Sequence, residues 1–145
     1  MIDSKKIIET ALATSNDVKM SDALLALRVV FGAMMFIHGL GKLVNFSMLM
    51  PQFPDPLGIG DGFSLALSML AETLGSVAVM VGFLTRAAAA VLAFNLAVAL
   101  VGVHGCDIFG AGELAFVYLV VLVVLFYTGA GRKSVDAVIM QRIKR

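Results

Sequence analysis

Residues 23–46 read ALLALRVVFGAMMFIHGLGKLVNF. A bilayer core of about 30 Å takes a helix of ~20 apolar residues. This run is long enough, and its ionisable residues are Arg28, His38 and Lys42. Three further apolar runs follow at 63–84, 87–103 and 114–128, the last two near the short end of the spanning range. The three prolines, Pro51, Pro54 and Pro56, lie together between the first two runs and mark that stretch as a loop. Irregular backbone cannot face lipid. The short connections at 85–86 and 104–113 therefore require antiparallel neighbours, and the predicted fold is all-α: a membrane four-helix bundle, antiparallel and up-down.

Composition agrees. The chain has 145 residues, 60% hydrophobic and 14% charged, against roughly 45–50% and 25% in soluble domains. Mean hydropathy is +0.98. So small a soluble domain has too little interior for that much apolar surface. A net charge of +1 offers no field for polyanions, which argues against nucleic acid as a partner. The lone Cys106 excludes an intrachain disulfide and any cysteine-built zinc cluster, so no metal site is expected.

Charge sets the direction. Lys5, Lys6, Lys19 and Arg28 precede or open the first run, Arg86 joins the second to the third, and Arg132, Lys133, Arg142, Lys144 and Arg145 follow the fourth. The intervening loops carry Asp55, Asp61, Asp107 and Glu113 and no Lys or Arg. The positive-inside rule then places both termini of this multi-pass membrane protein in the cytoplasm. Residues 1–21 form a polar or amphipathic segment, with Ile7, Ile8, Ala11 and Leu12 at helical spacing. It is expected either as a surface helix or as a frayed tail. The membrane domain is 22–138, and 139–145 is a basic tail. The first run is not read as a signal peptide, because it lies too deep in the chain and no small-residue cleavage site follows.

Ionisable groups in hydrocarbon each need a reason. At about 100° per residue, Arg28, Phe31, Met35, His38 and Lys42 fall in one stripe about 80° wide, which should face the bundle interior. Glu72 lies roughly 13 Å below the outer surface and His38 roughly 12 Å, at 1.5 Å per residue. They should therefore meet, with Lys42 one turn above as the partner of an ion pair and Asn95 at similar depth. His38, Lys42, Glu72 and Asn95 are the candidate ligand-binding or proton-relay residues. They are either a network that fixes helix register or a site for a polar head group or protons. His104, Cys106, Asp107 and Glu113 form an outer-face polar cluster, and Arg28, Arg86, Arg132 and Asp136 an inner-face charge cluster.

The chain resembles the DoxX family in several places taken in order. These are Leu27-Arg28 with Phe36-Ile37-His38-Gly39-Leu40-Gly41-Lys42-Leu43, Glu72 with Gly75, and Gly82-Phe83-Leu84-Thr85-Arg86-Ala87-Ala88. His104-Gly105, Gly112-Glu113 and Gly129-Ala130-Gly131-Arg132-Lys133-Ser134-Val135-Asp136 complete the likeness. Ala130 stands where the family's usual terminal motif has proline, and Val135 where it has leucine. The resemblance implies a four-helix inner-membrane protein. Some relatives look like subunits of thiosulfate:quinone oxidoreductase, and others are associated with thiol and superoxide defence.

Three functions are weighed. The first is a quinone-linked or thiol/sulfur redox-associated subunit, at most part of a membrane oxidoreductase, with quinone as its non-covalent cofactor and a polar site between the first two helices. The second is a non-catalytic anchor or assembly subunit for a partner protein. The third is a small transporter or proton path. Besides the bilayer, a protein partner or a homo-oligomer is expected.

Overall fold

The computed structural model describes residues 17–143. Among them every regular element is helical. Helix α1 spans Asp17–Val44, α2 Asp61–Val81, α3 Thr85–Gly102, α4 Glu113–Thr128 and α5 Val135–Ile143. The first three are long and apolar enough to cross a bilayer. At about 1.5 Å per residue the 16-residue α4 is roughly 24 Å long, a little short of the hydrocarbon core.

Local chemistry sets the ends. α1 gives way to a helical turn at Phe46–Leu49 and a 3-10 turn at Met50–Gln52, where Pro51 cannot continue an α-helix. Asp61 lies in the first turn of α2, where a negative charge offsets the exposed amides. Gly82, at φ 72°, closes α2 in the left-handed conformation, and the Phe83 amide donates back to the Ala78 carbonyl at 2.9 Å. The second helix thus ends three residues before the boundary read from hydropathy alone, because Gly82 stops it while Phe83 and Leu84 stay apolar. The basic tail expected from 139 instead continues α5 to Ile143. Ser134 starts that helix, its Oγ accepting from the Ala137 amide at 3.1 Å. The expected N-terminal segment falls outside the described residues up to position 16, and 17–21 already belong to α1.

Neighbouring helices run antiparallel. Gly32 of α1 lies against Met80 and Ser76 of α2, and Gly39 against Thr73 and Glu72. An added Cβ at Gly39 would sit 2.8 Å from the Thr73 amide nitrogen, so the two backbones nearly touch there. Gly75 of α2 packs on Leu92 of α3, and Phe31 of α1 meets Tyr118 of α4 edge to face at 5.6 Å. Met35, Val79, Leu92, Leu96, Leu122 and Leu125 fill the centre. The outward surfaces are apolar too, with Ile37, Leu74, Phe94 and Val101 each more than 60% exposed. Apolar exposure on that scale suits a lipid solvent rather than water.

Candidate functional site

Within α2 the α-helical register breaks at Ala71–Gly75, one turn of π-helix. Such a turn inserts a residue and re-aims the side chains it carries. Glu72 sits in it and is 4% exposed. Its Oε1 accepts from Lys42 Nζ of α1 at 2.5 Å, from Asn95 Nδ2 of α3 at 3.1 Å and, one turn back, from Ser68 Oγ at 3.4 Å. Lys42 Nζ also donates to Ser68 Oγ at 2.7 Å and lies 5.7 Å from the centre of the Phe53 ring. Three helices therefore supply one acid, one amine, one amide and one hydroxyl around a single oxygen. The other carboxylate oxygen, Oε2, is buried and has no protein hydrogen-bond partner.

His38 does not join them. Its side chain is exposed, and its ring lies 6.2 Å from that of Tyr118, nearly perpendicular, with no hydrogen bond to Glu72. The buried seam of α1 runs through Ser21, Leu24, Arg28, Gly32, Met35 and Gly39. His38 is one residue, or about 100°, off that seam. The expected centre between the first two helices is thus a centre among the first three, with His38 outside it. Tyr118 was absent from the sequence-based candidates. It is 2% exposed, and its buried hydroxyl has no protein hydrogen-bond partner. The signal available in the sequence was a hydroxyl in the middle of the apolar run 114–128.

A cavity of about 250 Å³ lies beside this centre, walled by α2, α3 and the loop that joins α1 to α2. Phe53, Pro56, Leu57, Leu67 and Phe94 give it an apolar lining, and its polar side chains are Ser64, Ser68 and Asn95. Ser68 and Asn95 thus face the cavity and the Glu72 carboxylate together. Asp55 holds the loop wall. Its carboxylate accepts from Ser64 Oγ at 2.7 Å and from the Gly60 and Ile59 amides at 2.6 and 3.0 Å. The Ser64 hydrogen bond, then that of Gly60, keep the Asp55 carboxyl below its ordinary value against an opposing desolvation.

At the other end Arg28 is fully buried and donates to the carbonyls of Val79 and Met80 at 3.2 Å and of Lys133 at 2.7 Å. Asp136 accepts from the Leu84 and Thr85 amides at 2.7 and 3.0 Å, and its own amide donates to the Gly82 carbonyl at 2.8 Å. Burial pulls the Asp136 carboxyl upward, but the hydrogen bonds from Thr85 and Leu84 and the Arg28 charge outweigh it, so it lies below its ordinary value. Arg86 donates to the Tyr127 carbonyl at 3.3 Å, and the Arg132 amide to Ser21 Oγ at 2.9 Å. Arg28, Arg86, Arg132 and Asp136 all lie at this end of the helices, and backbone groups take part in most of their hydrogen bonds. Lys133 and Asp22 form an ion pair there at 2.7 Å.

His104, Cys106, Asp107 and Glu113, expected together at the outer face, lie in or beside the loop from Val103 to Gly112. Asp107 caps the Ala111 amide at 3.2 Å, Cys106 is exposed at φ 62°, His104 is half-buried, and Glu113 begins α4 exposed. Among the described residues no three His, Cys, Asp or Glu side chains are grouped to hold a metal ion.

Comparison with known proteins places these features. No solved structure matches the chain. An uncharacterized protein of Haemophilus influenzae is 29% identical over 117 residues, 76% of this chain and 85% of that one. The sequence model of the DoxX family matches residues 23–105, the stretch that holds Lys42, Glu72, Asn95 and the cavity. With its apolar helices and the polar centre they share, the chain belongs to the DoxX family of membrane proteins.

Proposed function

We propose that the protein is a multi-pass subunit of a redox complex in the bacterial inner membrane. In this proposal the cavity between α2 and α3 holds a quinone-type head, and the four long helices cross the bilayer with both termini cytoplasmic. Arg28, Arg86 and Lys133 share one end of the helices, and Asp55, Asp107 and Glu113 the other, which supports that orientation. A slightly short α4 is accommodated by local thinning of the bilayer.

One observation carries the ligand proposal: an apolar, ring-sized cavity meets, at Ser68 and Asn95, a carboxylate held by three donors. A quinone-type head needs an apolar slot, polar groups that fix its oxygens and a nearby group that exchanges protons. Glu72 is the proton-exchanging group, Asn95 and Ser68 orient the head, and Phe94 and Phe53 wall the ring. An electron-carrying partner completes any redox chemistry.

Purified protein titrated with ubiquinone or menaquinone tests the proposal. Wild type should bind saturably, and Asn95→Leu should weaken binding at least tenfold without loss of helicity. Binding that is equal in both proteins would remove this cavity as the site.

A second function is favoured by how completely Glu72 is enclosed. A 4%-exposed acid, saturated at Oε1, is also what fixes helix register in a non-catalytic assembly subunit. Crosslinking in native membranes would then capture one stoichiometric protein partner, and quinone titration would give no saturable signal.

A further inference from the structure

The polar corner of the cavity has a definite hydrogen-bonding sense. Ser64 Oγ lies 2.7 Å from Asp55 Oδ1. An ionised carboxylate only accepts, so the Ser64 proton is committed to it and only lone pairs remain for the cavity. Ser68 Oγ accepts from Lys42 Nζ at 2.7 Å, since an ammonium only donates. The acceptor within reach of its own proton is Glu72 Oε1, at 3.4 Å. Asn95 turns Nδ2 to Glu72 at 3.1 Å, and this fixes the amide: one N–H is spent, Oδ1 is free to accept, and one N–H is left. Pro54 and Pro56 in the loop wall have no amide proton to offer. Among its side chains the cavity therefore presents acceptors from three residues and a single remaining donor, the second Asn95 N–H, inside an otherwise apolar lining.

A quinone carbonyl can only accept. A hydroquinone or phenol hydroxyl donates as well as accepts. Seating a carbonyl here leaves Asn95 Oδ1 and the serine oxygens facing lone pairs, whereas a hydroxyl answers them. Resting on the cavity being the ligand site, we infer that the α2–α3 cavity selects the hydroxyl-bearing, reduced form of a quinone-type head over the oxidised form. The volume of about 250 Å³ fits one ring with its tail leaving sideways past Leu67 and Phe94, both of which are exposed at the lip. It lies below the ~300–1,000 Å³ of sites that enclose drug-sized ligands.

Three probes on one decyl-substituted ring separate the possibilities: the 1,4-hydroquinone, the 1,4-quinone and the 1,4-dimethyl ether, which keeps the reduced ring but has no hydroxyl proton. Affinity is measured anaerobically on the full chain in nanodiscs, by competition against a radiolabelled hydroquinone. The hydroquinone should bind at least tenfold more tightly than the quinone, and the ether should bind no better than the quinone. In Asn95→Leu the hydroquinone-to-quinone ratio should fall toward one. Equal affinity for hydroquinone and quinone would overturn the selectivity and leave the cavity as a ligand site. An ether as tight as the hydroquinone would overturn it in the same way. Failure of all three to bind saturably would overturn the site itself. The ether comparison uses wild-type protein alone, so the test stands even if the Asn95 variant fails to fold.

Discussion

Replacing Lys42 by methionine keeps the stem of the side chain and removes its ammonium. Glu72 then holds a buried carboxylate with hydrogen bonds from Asn95 and Ser68 alone. Breaking a buried pair from one side costs about 3–5 kcal/mol. The Lys42 side chain is 23% exposed and Glu72 5%, so partial screening puts the cost near the lower bound, about 3 kcal/mol. Removing the acid is gentler: in Glu72→Leu the ammonium keeps Ser68 and can turn toward the nearby surface, for a cost of about 1–2 kcal/mol. The double variant Lys42→Met/Glu72→Leu leaves no charge unpaired and should lie within about 2 kcal/mol of wild type. The four proteins close a cycle with a coupling of at least about 2 kcal/mol. Far-UV circular dichroism through a detergent unfolding series reads it. Single effects that add to the double within about 0.5 kcal/mol would refute the idea that these groups answer one another's burial.

Three further expectations use other parts of the molecule. Gly39→Ala places a Cβ 2.8 Å from the Thr73 amide and 3.0 Å from the Glu72 carbonyl carbon. It should cost about 1–3 kcal/mol in the same unfolding series, and a neutral result would mean that α1 and α2 are not in backbone contact. Because the folded Asp136 carboxyl lies below its ordinary value of 3.8, its contribution to stability is present above that value. It is lost as the pH falls through the lower folded value, so melting temperatures between pH 6 and 2 should decline more steeply for wild type than for Asp136→Asn. Parallel declines would count against it. Cys106, the only cysteine, is exposed in the loop before α4. A membrane-impermeant maleimide should label it in spheroplasts and not in sealed inverted vesicles, and the opposite pattern would reverse the topology.

Hydropathy and charge made the helices, their antiparallel order and the shared depth of Lys42, Glu72 and Asn95 legible. They misplaced His38 because the stripe was centred on ionisable side chains. Helices in lipid gain little from burying apolar area against one another and pack instead through small residues. Gly32 and Gly39 fix the contact face of α1, and His38 falls beside it. Hydropathy carries no mark of a π turn, so the re-aiming of Glu72 was not foreseeable. The cavity depends on the loop folding back over α2 and α3 around Asp55, a tertiary fact with no periodicity. Helix α5 was hidden because its VDAVIMQRI run is short, is less apolar than the spans and follows a glycine-rich turn. Tyr118 was legible in principle, as a hydroxyl flanked by valines and leucines in mid-span.

Leu84 stands at φ 46°, a conformation that non-glycine residues avoid and that costs on the order of 1–3 kcal/mol. What holds it there comes from far along the chain, since Asp136 grips the amides of Leu84 and Thr85. Arg28, from the first helix, binds the carbonyls that end α2. During synthesis the turn between α2 and α3 therefore leaves the ribosome before the residue that holds its strained bend. A segment about fifty residues downstream is thus the clasp for the bend between α2 and α3, and a chain cut before Asp136 should leave Leu84 without the contacts that hold it.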